Sequence, residues 1–262
     1  MAGELSPRDD RGAEERGGLD RPARDARRSA VVADFVAPLG RDNLANRVYD
    51  ELRQALFEGR LRPGHRLKVR ALSAAMQVSE TPVREAVMQL VRERVLRQEA
   101  ARSITVAGLS LEGYVELRTI RVELEGLAAE AAAIRITPGD LDALERANAA
   151  LSAAEEEGEP LAANRANWAF HHTLYAAAAM PELLSIIESI WLRNGPMHAF
   201  LYPDARPTYP GRHRHLDIID GLRARDPRAT RAALCADLME GGANLVALLG
   251  RMERDAAWSS PG

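Results

Sequence analysis

Apolar residues recur every three or four positions along most of the chain, a spacing that places their side chains on one face of an α-helix. The first apolar stripe consists of Leu44, Val48, Leu52 and Leu56. This helix should end near Gly59, because Arg62-Pro63-Gly64-His65 follows and turns the chain. The pattern therefore predicts a scaffold helix and then a tight turn.

Two short helices are predicted next, separated by a second turn. The first covers residues 69–76, and Gln77-Val78 forms the turn. Ser79 is the predicted N-cap of the second helix, which should end near residue 94. The inward positions of the first of these helices are Leu72 and Ala75.

The second of these helices has an apolar face and a polar face. Its apolar positions are Val83, Val87, Leu90 and Val91, and the positions that point away are Glu80, Thr81, Arg84, Glu85 and Met88. An exposed first turn is the part of a recognition helix that enters the major groove of DNA. Arg84 could pair there with guanine O6 and N7 or hold a phosphate, while Ser79 and Thr81 can reach backbone oxygens.

Residues 95–99 and 104–106 alternate between apolar and polar like the strands of a hairpin. Arg102 lies near the predicted tip, where it could contact the minor groove or a phosphate. A scaffold helix, two helices across a turn and a hairpin, in this order, predict a winged helix-turn-helix.

The charge distribution separates this region from the rest of the chain. Residues 41–106 contain 13 Arg or Lys and 8 Asp or Glu, a net charge of +5, whereas the whole chain carries −3 and the remainder therefore −8. A basic module attracts duplex DNA through counterion release, and an acidic one does not. We expect a DNA-binding head on a larger acidic domain.

From residue 111 to residue 251 the pattern is helical throughout. Breaks fall at residues 137–139, 158–160, 180–181, 202–211 and 226–227, all rich in Pro or Gly. They divide the region into six predicted helices without a strand. The expected fold is mainly α: an N-terminal winged helix-turn-helix followed by an all-α antiparallel helical bundle with a central cavity.

Arg121 lies on an inward stripe with apolar neighbours, Leu117, Leu124 and Ala128. A buried guanidinium requires an anion. Either a carboxylate of the protein or the carboxylate of a small ligand could pair with Arg121.

Asn167 and His171 are four residues apart on one helical face, and His215 begins the apolar stripe of another helix. Two inward histidines with a nearby oxygen ligand are typical of sites that bind zinc, nickel or manganese, although they can also be satisfied core residues. Asp237 borders an apolar stripe and needs a cation or a donor. His213 does not share the face of His215 and is expected at the surface.

The residues of the head resemble the signature of the GntR family of bacterial transcription regulators. The segments that carry the resemblance are Gly64-His65-Arg66-Leu67 and the run from Leu72 to Ala86. The resemblance implies DNA contacts by Arg70, Ser79, Thr81, Arg84, Arg102 and Ser103. Glu80 stands where the family usually has arginine, and Ser103 stands where the wing usually has glycine, so the preferred DNA sequence should differ.

The acidic region resembles the FCD effector domain of the FadR subfamily, and the six predicted helices resemble its VanR-like branch. The matching segments are residues 121–128, 167–171 and 215–219, and then Asp226. Many relatives bind a metal through one Asp or Asn and three histidines. The corresponding residues here are Asn167, His171, His215 and Asp237, where Asn167 replaces the usual Asp and Asp237 replaces the third histidine.

These patterns predict four segments: a disordered tail at residues 1–40, the head at 41–107, the effector and dimerisation domain at 108–252, and a short tail at 253–262. A membrane span needs about 18 apolar residues, and no apolar run in the sequence approaches that length. We expect a cytoplasmic homodimer that binds operator DNA and responds to a small carboxylate, with a divalent metal (zinc, nickel or manganese). A metal-dependent helical enzyme and a DNA binder with a purely dimerising bundle are the alternatives.

Overall fold

The computed structural model of the chain describes residues 43–99 and 103–258. The head begins with helix α1 (Asn43–Phe57) and strand β1 (Arg66–Leu67), followed by α2 (Val69–Met76) and α3 (Glu80–Arg92). Strands β2 (Leu96–Gln98) and β3 (Ile104–Val106) form the wing. The strands make an antiparallel sheet in the order β1-β3-β2, in which Leu96 is opposite Val106 and Leu67 is opposite Ile104. The winged helix-turn-helix fold is confirmed.

The core of the head contains the predicted apolar faces of α1 and α3 together with the inner side of the sheet. Its buried members are Val48, Leu52, Leu56, Val83, Val87, Leu90, Val95, Leu96, Ile104 and Val106. The prediction for Ala75 was wrong, because this residue is exposed. Helix α2 turns Leu72, Ser73 and Met76 toward the core, and position 75 falls outside that arc.

The second domain contains seven α-helices among the described residues, one more than predicted. They are α4 (Leu111–Arg135), α5 (Pro138–Glu157), α6 (Pro160–Ala177), α7 (Pro181–Asn194), α8 (Arg214–Arg223), α9 (Pro227–Gly241) and α10 (Ala243–Trp258), and a 3₁₀ helix (Gly195–Phe200) follows α7. Four of the helices begin with the predicted proline in their first turn. The additional break is at Gly242, where a Cβ atom would lie 2.9 Å from the carbonyl oxygen of Leu238 and from the hydroxyl of Tyr114.

Helix α4 is the central element of this domain, since it packs against α6, α7 and α9. Helices α5 and α6 pack on each other, as do α8 and α9. The side chains at the centre are large and fully buried, and include Phe170, Leu174, Tyr175, Ile187 and Trp191. Helices α6, α8 and α9 also place polar residues toward this interior.

Residues 227–255, which comprise α9 and most of α10, are long and apolar enough to cross a membrane by length and composition alone. Part of this stretch packs inside the domain, because Leu234 and Leu238 are buried and Asp237 faces the interior. The last helix also continues to Trp258, beyond residue 252, while residues 1–42 lie outside the described residues.

Gly59 tests how tightly the head fits the helical domain. Its φ is 70°, and a Cβ atom would lie 2.8 Å from the backbone nitrogen of Ala199. Gly64, with φ 80° and open space around it, is the matched control. Alanine at either position should cost about 1–2 kcal/mol of backbone strain. Gly59→Ala should lower the free energy of unfolding by about 1–3 kcal/mol more, because of the clash. Urea denaturation would measure both variants. Equal losses at both positions would contradict the close contact.

Candidate functional site

One side of the N-terminal part of α3 is exposed, as expected for a recognition helix. Ser79, Thr81 and Arg84 are exposed on it, and Arg70 is exposed on α2. Ser103, immediately before β3, is half-buried, and Arg102 lies outside the described residues. Ser79 is the N-cap residue of α3, although its side chain makes no capping hydrogen bond. Its hydroxyl is therefore not occupied by the helix end.

Arg84 already has a partner within the protein. Its Nη2 donates to Oε2 of Glu80 at 2.6 Å, four residues earlier on the same helix. Both side chains are largely exposed, at 59% and 42%, so the pair stabilises the helix by about 0.5 kcal/mol or less. A phosphate or a guanine can replace Glu80 at little energetic cost.

Three buried side chains converge in the interior of the helical domain. They are His171 on α6, His215 on α8 and Asp237 on α9. The Nε2 atoms of the two histidines are 3.3 Å apart, and Oδ2 of Asp237 lies 3.4 Å from Nε2 of His171 and 3.9 Å from that of His215. Ligands about 2.0–2.1 Å from a tetrahedral metal are about 3.4 Å apart. The triangle has the size of one face of such a site.

The remaining proposed ligand, Asn167, precedes His171 by one turn of α6 and lines the same cavity. Asn167 thus shares this cavity with His171 and Asp237, and His215 lies next to these two residues. The donor set has two imidazole nitrogens, one carboxylate and one amide, which suits zinc, nickel or manganese.

The electrostatics of this cluster also fit a cation. Burial lowers the pKa of His215 well below its usual value, so this imidazole is neutral at neutral pH. Burial alone would raise the pKa of Asp237, but His215 and His171 hold it below its usual value, so the carboxylate stays ionised. Among the described residues, Nδ1 of His215 has no hydrogen-bond partner although it is buried.

The wall of the cavity contains two residues that the sequence analysis did not assign to it. Tyr209 donates a hydrogen bond to Oδ1 of Asp237 at 2.9 Å. His213, expected at the surface, lines the cavity, and its ring centroid lies 4.3 Å from that of His215. His213 is the N-cap of α8 and its Nδ1 accepts from the His215 N–H, so its side chain folds back over the helix end. The prediction that His213 lies at the surface was wrong for this reason, because helical periodicity does not apply to a residue that precedes the helix.

Arg121 is buried and pairs with a carboxylate of the protein. Its Nε donates to Oε1 of Glu125 at 2.6 Å and its Nη2 donates to Oε2 at 3.3 Å. The guanidinium also lies over the ring of Trp191, 4.5 Å from the centroid. Burial would lower the pKa of Arg121, but Glu125 raises it, so the group remains charged. Of the two partners considered for Arg121, the internal carboxylate is present, and the guanidinium also borders the cavity.

Two further cavity residues, His198 and Asn164, hold the end of the first head helix. Nδ1 of His198 lies 3.2 Å from the carbonyl oxygen of Phe57. Nδ2 of Asn164 donates to the carbonyl oxygens of Glu58 at 3.1 Å and His198 at 3.3 Å. Neither residue was predicted. Asn164 lies seven residues before His171 on α6, so its helical spacing was a signal that could have identified it. His198 lies in a 3₁₀ helix, where α-helical spacing does not apply.

The charges around Glu58 add to this junction. Its carboxylate is buried and accepts from Gln54 at 2.7 Å and from Arg165 of α6 at 2.8 Å. Burial would raise the pKa of Glu58, but Arg165 and Gln54 lower it. Arg53 of α1 bonds Glu188 of α7 at 2.8 Å, and Phe57 stacks on Trp168 at 4.4 Å. The end of α1 is thus held by hydrogen bonds, ion pairs and a ring stack.

Comparison with known proteins identifies both domains. The model for bacterial regulatory proteins of the gntR family matches residues 44–106, and the FCD domain model matches residues 116–239. The HTH-type transcriptional regulator McbR of Escherichia coli strain K12 is 33% identical over 201 residues, which are 76% of this chain and 90% of McbR. A protein of Paenarthrobacter nicotinovorans named "Probable D-xylose utilization operon transcriptional repressor" is 27% identical, covering 75% of this chain and 86% of its own length.

Solved structures show the same architecture. The structure of E. coli McbR has a TM-score of 0.73 at 30% sequence identity and covers 80% of this chain and 99% of its own. A GntR regulator from Rhodococcus sp. RHA1 has a TM-score of 0.61 at 23% identity, covering 83% of this chain and 99% of its own, which supports the fold alone.

The junction should make the stability of the protein depend on pH. Burial lowers the pKa of His198 from 6.5 to about 4. Because the unfolded chain takes up this proton first, stability should fall as the pH falls from 6.5 toward 4, by about 2 kcal/mol between pH 7 and pH 5. Urea denaturation at both pH values should show that His198→Asn removes most of the loss of stability that is attributed to His198. His65→Asn, at an exposed histidine, is the control, and equal pH dependence in both variants would contradict the assignment.

Proposed function

The chain belongs to the GntR family of bacterial regulatory proteins and carries an FCD domain, and on this basis we propose that it is a repressor controlled by a small carboxylate. The family consists of DNA-binding transcription regulators rather than enzymes. In this proposal the effector binds in the helical cavity together with a divalent metal ion, and its binding changes the fit of two heads to operator DNA. We also propose that the protein is cytoplasmic and does not bind a membrane.

The observation that carries the proposal is the junction between the cavity and the head. The last carbonyl groups of an α-helix have no partner within that helix. At the end of α1 two of these groups, on Phe57 and Glu58, pair with His198 and Asn164, which line the cavity. A change at the cavity wall therefore reaches the scaffold helix of the head through two hydrogen bonds.

The size of the cavity supports a coupled mechanism. Its volume is about 60 Å³, which suits a metal ion with a small carboxylate, whereas a larger acid would displace wall residues. A ligand shifts a conformational equilibrium only through different affinities for the two states. In the proposed mechanism, the effector favours the state in which His198 and Asn164 have moved.

The cavity offers distinct groups for the metal and the acid. Asn167, His171, His215 and Asp237 would hold the metal. This ion would provide an open coordination position for a carboxylate oxygen. Arg121 would bind the other oxygen through Nη1, which none of the hydrogen bonds among the described residues uses.

The proposed operator complex uses the exposed residues of α2 and α3 and the two wing positions that the family resemblance implies. Arg84, Ser79 and Thr81 would enter the major groove, Arg70 would contact the backbone, and the wing residues Arg102 and Ser103 would contact the minor groove. A homodimer would place two such heads on a pseudo-palindromic operator. Repression agrees with the name of the relative from Paenarthrobacter nicotinovorans, a probable transcriptional repressor.

The FCD domain supports placing the chain in the FadR subfamily. Its VanR-like branch was proposed from six predicted helices. The seven helices of the structure remove that argument, so the proposal stops at the subfamily.

Substitutions on α3 test the DNA-binding part. Arg84→Ala should weaken binding to the native operator by about 5- to 150-fold, the equivalent of about 1–3 kcal/mol for a bidentate base contact. Arg92→Ala, an equal change of charge in the exposed last turn of α3, is the matched control. Fluorescence anisotropy with operator and random duplex would measure both. Equal, small effects of the two substitutions would contradict the recognition role of Arg84.

Substitution of His198 tests the coupling. His198→Leu removes the donor to Phe57, whereas His198→Asn keeps one. Operator affinity would be measured with Zn²⁺ and a panel of two- to six-carbon carboxylates. The wild type and His198→Asn should lose affinity on addition of an active acid, and His198→Leu should not respond while still binding that acid in calorimetry. A wild type that responds to no acid, with or without metal, would favour a purely dimerising bundle.

A further inference from the structure

We propose that Arg121, Glu125 and Tyr175 form a positioning chain that sets the orientation and the tautomer of His171, so that its Nε2 lone pair faces Asp237 and His215. This inference rests on the metal site proposed above. It gives Arg121 a role that does not depend on the effector. None of the three is itself a proposed metal ligand.

The chain is continuous in the structure. Arg121 donates to both oxygens of Glu125, from Nε at 2.6 Å and from Nη2 at 3.3 Å. The hydroxyl of Tyr175 donates to Oε2 of the same carboxylate in a short hydrogen bond. The oxygen of this hydroxyl lies 2.9 Å from Nδ1 of His171. On the other side of the imidazole ring, Nε2 faces Asp237 at 3.4 Å.

The direction of each hydrogen bond follows from the number of protons. The Tyr175 hydroxyl has one proton, and an ionised Glu125 can only accept. With that proton committed to Glu125, the bond between Tyr175 and His171 needs a proton from the imidazole. His171 therefore donates from Nδ1, and its neutral form has the lone pair on Nε2. A metal ligand must have its free lone pair on the side of the metal.

The charges explain why Arg121 belongs to this chain. Glu125 is completely buried, and an ionised carboxylate is stable there only with a cation. Arg121 supplies this cation. Glu125 in turn raises the pKa of the Tyr175 hydroxyl, which burial already raises well above its usual value, so the hydroxyl keeps its proton.

The second histidine is held in a different way. The ring of His215 stacks on Phe170 with centroids 3.7 Å apart and an interplanar angle of 4°. Its Nδ1 has no partner among the described residues. Stacking restrains the plane of an imidazole but does not choose which nitrogen carries the proton. The positioning chain therefore acts on His171 alone.

Tyr175→Phe is the direct test, because it removes the hydroxyl and keeps the ring. The apparent Kd for Zn²⁺, measured by competition with a chromophoric chelator, should rise about 10- to 100-fold. Tyr202→Phe is the control, since its hydroxyl bonds Glu155 at the cavity and contacts none of the proposed ligands. Thermal unfolding would verify that both variants are folded.

A second measurement uses the metal-free protein and does not depend on the proposed function. NMR of ¹⁵N-labelled imidazoles should show His171 with its proton on Nδ1 in the wild type and in Tyr202→Phe. In Tyr175→Phe this preference should be lost. An Nε2-protonated His171 in the wild type, or an unchanged tautomer and Zn²⁺ affinity in Tyr175→Phe, would overturn the positioning chain. A wild type with the Nδ1 tautomer that binds no Zn²⁺ would instead refute the proposed metal and leave the chain supported.

Discussion

The carbonyl groups at the end of α1 place the strongest constraint on this molecule. A helix cannot satisfy its own last carbonyls, and here His198 and Asn164 of the helical domain satisfy two of them. The backbones must approach closely for this: a Cβ atom on Gly195 would lie 2.7 Å from the carbonyl oxygen of Leu56. The scaffold helix of the head is therefore completed by the wall of the cavity, and neither can shift without affecting the other.

The interior of the helical domain contains two groups of charged side chains that differ in net charge. Arg121 and Glu125 neutralise each other, whereas Asp237 remains ionised beside a neutral His215. A buried carboxylate favours a cation. The distances among His171, His215 and Asp237 have the size of a metal coordination face. The charge and the geometry of the cluster thus support the same ligand.

Much of this structure was predictable from local patterns, and the failures have physical reasons. Helical periodicity identified the apolar faces of α1 and α3 and placed His171 and His215 inward, as the structure confirms. It could not identify His213, which caps a helix from outside, or His198 in a 3₁₀ helix with a different period. The break at Gly242 was missed although the adjacent glycines Gly241 and Gly242 are a local signal for a helix end.

The central claim is that the cavity and the head respond together, and hydrogen exchange tests it most directly. Peptides covering residues 54–60 and 195–200 would be followed by mass spectrometry before and after the addition of Zn²⁺ and an active carboxylate. The account predicts that amide exchange changes in both segments at the same ligand concentration. A change confined to the residues around His171, His215 and Asp237, with residues 54–60 unaffected, would contradict it.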